Sequence, residues 1–222
     1  MLRCWILVVA ILLGACTKTA DPDPDADARV LLMGDSLMAS NRALGVSVAS
    51  ALEIMLGEQV IDRSASGAGV IARRGIPQQF VEGPWDWVVL NGYGNDLLFG
   101  CGCGACEGRM DRLVSTDGSG GAIPDLVREL RSSGARIIYT GYLRTPGFAS
   151  PIEACVALGD EMDTRLGAMA ALDEGVTFLS LADLVPNGDK TYHAPDRVHP
   201  SGKGSAAIAD RIAKRIAENE QR

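Results

Sequence analysis

Arg29-Val30-Leu31-Leu32-Met33-Gly34-Asp35-Ser36-Leu37 is a short apolar run that stops at a glycine and passes into two polar residues. An apolar run of this length, bounded by glycine, reads as a buried strand. Behind it, Leu44, Val48, Leu52 and Met55 recur at helical spacing between Ala43 and Gly57, which predicts a helix. The alternation then repeats. Gln59 to Arg63, Trp85 to Leu90, Arg136 to Tyr139 and Val176 to Leu181 read as further strands. Ile123 to Ser133, closed by Gly134, Ile152 to Leu172, and an alanine-rich stretch from Gly202 to Glu218 read as helices. A parallel neighbour can be reached only by a crossover, so five strands separated mostly by helices predict an α/β fold: a five-stranded parallel sheet between two helical layers. The ligand crevice of such a sheet lies beyond the carboxyl ends of its strands.

Reactive side chains fall at those ends. Ser36 follows the first strand, Ser64 to Gly69 the second, and Leu90-Asn91-Gly92-Tyr93-Gly94-Asn95-Asp96 closes the third. A hydroxyl is a poor nucleophile near neutral pH and needs a base, usually a histidine held by a carboxylate. The chain has two histidines. His199 lies in Asp196-Arg197-Val198-His199-Pro200, with a carboxylate three residues earlier, whereas His193 has no acid at comparable spacing. Each residue also has a plainer explanation: Ser36, Asn95 and Asp96 as helix caps, Asp196 to Pro200 as a turn before Ser201. All of them in this order, each at a strand end or before the last helix, favour catalysis. No Gly-x-Ser-x-Gly elbow competes for the nucleophile.

Gly34-Asp35-Ser36-Leu37, Gly67, Gly94-Asn95-Asp96 and Asp196-x-x-His199-Pro200 resemble the ordered blocks of the SGNH, or GDSL, hydrolases, whose fold is a flavodoxin-like α/β/α sandwich. The resemblance implies Ser36 as nucleophile, His199 as general base and Asp196 as its orienter. It implies an oxyanion hole made by the Ser36 N–H, the Gly67 N–H and the Asn95 amide. No metal or organic cofactor is implied. One block departs from the pattern, because Tyr93 stands where glycine is expected, which leaves Asn91, expected inside the strand, as a rival to Asn95.

Gly67-Ala68-Gly69-Val70-Ile71-Ala72 mimics a dinucleotide-binding loop, with Glu82 or Asp86 downstream. It follows the second strand rather than the first, and Pro77 interrupts the helix it should open. Cys101, Cys103, Cys106 and Cys155 remain once Cys4 and Cys16 are set aside. In an oxidising compartment an even count reads as two disulfides of open connectivity, with a four-thiolate zinc site as the rival. A link from the cluster to Cys155 would staple the glycine-rich loop around Gly100 beside the active site. Arg73-Arg74 reads as a solvated surface pair.

Met1-Leu2-Arg3 and the apolar run from Cys4 to Leu13 have the basic start and short core of an export signal. Leu13-Gly14-Ala15-Cys16 resembles a bacterial lipobox, implying lipidation at Cys16, a signal over 1–15 and a membrane anchor. Thr17 to Ala28, with Asp alternating with Pro and Ala, reads as an extended tether over 16–28. The hydrolase domain is expected over 29–222. With 47% hydrophobic residues the chain can build a core, and a net charge of −7 without a basic block argues against nucleic acid. The expected protein is a monomeric serine esterase of the cell envelope, acting on a small-molecule, lipid or glycan ester or thioester. The alternatives are an acyltransferase and a non-catalytic glycan- or partner-binding lipoprotein of the same fold.

Overall fold

A computed structural model describes residues 28–73, 75–147 and 150–221. The expectations for Cys4, Cys16, the signal, most of the tether and Arg74 fall outside the described residues. Ala28, placed at the end of the tether by composition, is buried in the core.

Five strands, β1 (Val30–Met33), β2 (Val60–Asp62), β3 (Trp87–Leu90), β4 (Arg136–Thr140) and β5 (Val176–Leu179), form one parallel sheet in the order β2-β1-β3-β4-β5. Alternate residues serve opposite faces. Val30, Leu32, Trp87, Val89 and Ile138 pack against α1 (Ser36–Ala39), α2 (Val48–Leu56) and α7 (Gly202–Glu220). Leu31, Met33, Val88, Leu90, Ile137 and Tyr139 pack against α3 (Gly94–Cys101), α4 (Glu107–Leu113), α5 (Ala122–Ser132) and α6 (Val156–Ala170). Both faces are dry, which is why each strand reads as a continuous apolar run rather than an alternating one. Met33, Leu90 and Tyr139 stand abreast in register, so the chain leaves three neighbouring strands at one level.

The fold class matches the expectation, and the differences lie in the helices. The stretch from Ala43 to Gly57 is two pieces: a 3₁₀ turn at Arg42–Leu44, between left-handed Asn41 and Gly45, and then α2, capped by the Ser47 hydroxyl. Leu44, assigned by its spacing to the buried face, is exposed. Between Asn95 and Ile123, where periodicity predicts no helix, lie most of α3 and all of α4. Each has only about two turns, and Gly100, Gly102 and Gly104 interrupt the apolar period between them. No helix among the described residues is long and apolar enough to cross a membrane.

Candidate active site

Ser36 opens α1, and Asp35 caps it by accepting the Leu37 N–H at 2.9 Å. The turn between β1 and α1 is gripped from the neighbouring strand. Asn91, the first residue beyond β3, accepts the Asp35 N–H at 3.1 Å and donates its amide to Asp35 Oδ1 at 2.8 Å. Gly34 is required by this contact. Its φ is 144°, and a Cβ there would stand 1.9 Å from Asn91 Oδ1. Gln79 brackets the same glycine, accepting its N–H at 2.6 Å and donating to its carbonyl at 2.8 Å. The Tyr142 hydroxyl, from the segment after β4, donates to Asp35 Oδ2 and accepts the Gly94 N–H at 3.0 Å. Burial pushes the Asp35 carboxyl above its ordinary range, against the lowering effect of the bonds from Tyr142, Asn91 and Leu37.

From the other end of the chain, His199 Nε2 lies 2.9 Å from Ser36 Oγ, and His199 Nδ1 lies 2.7 Å from Asp196 Oδ2. The other Asp196 oxygen accepts the N–H groups of Val198 and His199 at 2.9 and 3.0 Å. Partial burial works to raise the Asp196 pKa, but the bonds from His199 and these two backbone groups outweigh it and hold the carboxyl below its ordinary range. Arg197 takes a left-handed φ of 59° to close the loop. Ala194 N–H bonds the His199 carbonyl at 2.8 Å, and His193 bridges Pro200. His193 is buried with both ring nitrogens unpartnered, and it takes no part in this chain of bonds. Asn41 seats the loop on the body, donating to the Pro200 carbonyl at 3.0 Å.

Tyr93 resolves the departed block. Its φ is +136°, so a tyrosine occupies the backbone conformation that ordinarily selects glycine, and the register of the block is kept. The buried ring packs edge-on against Tyr142, with centroids 4.6 Å apart. Asn95 therefore lies in the first turn of α3, where its Nδ2 donates to the Ala68 carbonyl at 2.8 Å. Asp96 accepts the Val70 N–H at 2.7 Å and the Ile71 N–H at 3.2 Å, so the two adjacent residues hold the Gly67 loop against α3. Asn91, the rival, is committed to Asp35.

A family model described as GDSL-like lipase/acylhydrolase matches residues 32–207, from within β1 to within α7. The chain belongs to the GDSL-like lipase/acylhydrolase family. Solved structures share the fold at low identity. A candidate SGNH hydrolase from Slackia heliotrinireducens is 23% identical with a TM-score of 0.59, covering 86% of this chain and 99% of that one. A candidate acylhydrolase from Bacteroides fragilis is 19% identical, with a TM-score of 0.61 and coverage of 91% and 92%. A family two carbohydrate esterase from Clostridium thermocellum, in complex with cellohexaose, is 16% identical, with a TM-score of 0.58 and coverage of 87% and 65%. Among curated proteins, none matches. As a GDSL-like acylhydrolase, the chain is an ester-hydrolysing enzyme by class.

In this GDSL-like hydrolase Ser36, His199 and Asn95 line one cavity of about 180 Å³ with Tyr142 and Leu143. Gly67 is not among that lining. It sits at φ +79° on an exposed turn beside Ser66 and Gln78, linked to the cavity through the bond from Asn95 to Ala68. The four cysteines form the disulfides Cys101–Cys106 and Cys103–Cys155, the second of which lines the cavity. All four sulfurs are thereby used, so the zinc alternative has no thiolates. Among the described residues no helix starts between Gly69 and a 3₁₀ turn at Pro77–Gln79. A pyrophosphate would find no helix terminus there. Sequence reasoning missed Gln79, Tyr142 and Asn41, which no motif marks, and assigned Asn91 to the strand interior.

Proposed function

We propose that the enzyme hydrolyses a carboxylic ester or thioester through an acyl-enzyme on Ser36. His199 takes the hydroxyl proton through Nε2 as Oγ attacks the carbonyl carbon. Asp196 holds the imidazole through Nδ1 and stabilises the imidazolium that forms. The tetrahedral oxyanion is received by the Ser36 N–H, which opens a helix and has no partner within it, by the Gly67 N–H and by the Asn95 amide, whose second N–H is not taken by Ala68. The imidazolium then protonates the departing alkoxide or thiolate, and water repeats the sequence to release the acid.

The observation that carries this reading is the unbroken chain of hydrogen bonds from Ser36 Oγ through His199 to Asp196. A fluorophosphonate probe should label the protein at Ser36, and Ser36→Ala should abolish labelling and ester turnover with the thermal midpoint nearly unchanged. Retention of most of the activity by Ser36→Ala sinks the assignment. The basic, apolar and Cys16-terminated start of the sequence supports export as a lipoprotein of the cell envelope, with the Asp/Pro-rich segment as the tether of the catalytic domain. Palmitate incorporation that persists in a Cys16→Ser variant would overturn the anchor.

A further inference from the structure

The cavity beside Ser36 has the wrong chemistry for a polar ligand. Its wall runs from α3 through the segment after β4 to the start of α6, and Leu97, Leu98, Leu143, Ile152, Val156 and the Cys103–Cys155 disulfide supply it. Arg144 and Tyr142 at its edge are already engaged. Arg144 spends Nε on Asp160 at 2.9 Å, Nη1 on the Tyr142 carbonyl at 3.0 Å and Nη2 on Asp163 at 3.0 Å. The Tyr142 hydroxyl is taken by Asp35 and Gly94, and Asn95 spends one N–H on Ala68. A sugar entering this space would give up water and find few free donors beyond the Asn95 N–H that serves the oxyanion, a cost that an alkyl chain does not incur.

Resting on the serine-esterase reading, we propose that this cavity seats an unbranched alkyl chain of the ester, and that the enzyme selects chains of about six to eight carbons over acetyl. The volume sets that length. A dry apolar cavity of about 150 Å³ takes up benzene, six carbons, and this one is about 180 Å³ and continuous with Ser36 and His199. Phe99 is exposed and also lines it, and the Cys103–Cys155 bond clamps the loop after α3 to the start of α6, on either side of the space. The chain belongs to the acyl group or to the alcohol, and the two sources share this chemistry.

The test uses the full chain with two series of substrates: p-nitrophenyl esters from acetate to dodecanoate, and alkyl acetates from ethyl to dodecyl. In one series kcat/KM should rise about three- to fourfold per methylene, reach its maximum at six to eight carbons and then fall; that series identifies which side of the ester is bound. Val156→Trp should lower the hexanoate-to-acetate ratio, or its alkyl-acetate counterpart, at least tenfold. Ile152→Trp gives the same readout should Val156→Trp fail to fold, and Leu98→Ala should move the maximum to longer chains. Profiles that are flat or favour two carbons in both series, with Ser36 labelled by fluorophosphonate, overturn the chain-length assignment and leave the serine mechanism standing. Absence of both labelling and turnover overturns the mechanism, and the assignment with it.

Discussion

Asp35, next to Ser36, is buried and takes its bonds from Asn91 beyond β3, Tyr142 beyond β4 and Leu37 in its own turn. Asp196, three residues before His199, is 49% exposed at its side chain, as His199 is at 36%, and all of its bonds come from Val198 and His199. One carboxylate is wired across the sheet and the other is closed within a single loop. The difference follows from what each must position. In the proposed mechanism the nucleophile has to meet donors that arise from other strand ends, so its turn is tied to those strands. The proposed acid–base pair has to be oriented chiefly within itself, which five residues of chain can accomplish.

Asp196→Asn should separate the two plans most sharply. Activity should fall about 10³- to 10⁴-fold, because the imidazole loses its tautomer control, while the unfolding free energy from urea titration should stay within about 0.5 kcal/mol of the parent, as for an exposed site. Equal losses in both measurements would show that the loop is not independent of the core.

Asn95→Ala tests the oxyanion side of the core-wired half. An oxyanion donor acts only as charge develops, so kcat should drop about 100- to 1,000-fold with KM little changed. The lost bond to Ala68 adds a stability cost on the order of 1 kcal/mol. Normal turnover in the folded fraction would reduce Asn95 to a strut for the Gly67 loop.

Asn91→Ala should reverse the Asp196 pattern. It strips a donor from a buried carboxylate and an acceptor from the Asp35 N–H, and bonds to charged groups are worth about 1.5–3 kcal/mol. The stability loss should lie in that range in denaturant unfolding. A variant as stable as the parent would mean that water replaces the amide and that the grip on the nucleophile turn is weaker than its burial implies. Tyr142→Phe keeps the ring packed on Tyr93 but removes a donor to the same carboxylate and an acceptor from the Gly94 N–H, so its stability loss should fall in the same range, about 1.5–3 kcal/mol. Its reduction in kcat should exceed any change in KM, because it loosens the Ser36 turn relative to Gly94.

The smallest effect concerns His193, inside the loop-closing bridge. Burial lowers its pKa below the ordinary imidazole value, against the raising influence of Asp196. With the folded-state pKa depressed, stability is full above pH about 6.5 and is lost as the pH falls toward the folded-state value, because the unfolded chain takes the proton first. One such group contributes a slope of at most about 1.4 kcal/mol per pH unit. His193→Phe should flatten the dependence of the urea midpoint between pH 7.5 and 5.5, and an unchanged slope would place the acid sensitivity elsewhere.

How far the sequence determined this protein can be judged residue by residue. The five strands were legible because a parallel sheet buried on both faces requires uninterrupted apolar runs, and Val30–Met33 and Trp87–Leu90 supply them. The contact between Asp196 and His199 was legible because the two are neighbours in the chain and their geometry is local. The position of Ser36 at a strand end was legible because topology rather than side-chain packing sets it. The bond between Ser36 and His199 spans 163 residues, and only tertiary structure could close it. The same holds for Asn91 under Asp35, Gln79 around Gly34, the Cys103–Cys155 pairing and the left-handed Tyr93. Each depends on contacts between segments distant in sequence, and a residue type carries no record of which distant partner will satisfy its hydrogen bonds. Local periodicity encodes which face of an element is dry; the choice of partner at the rim of the sheet is made only when the strands are laid side by side.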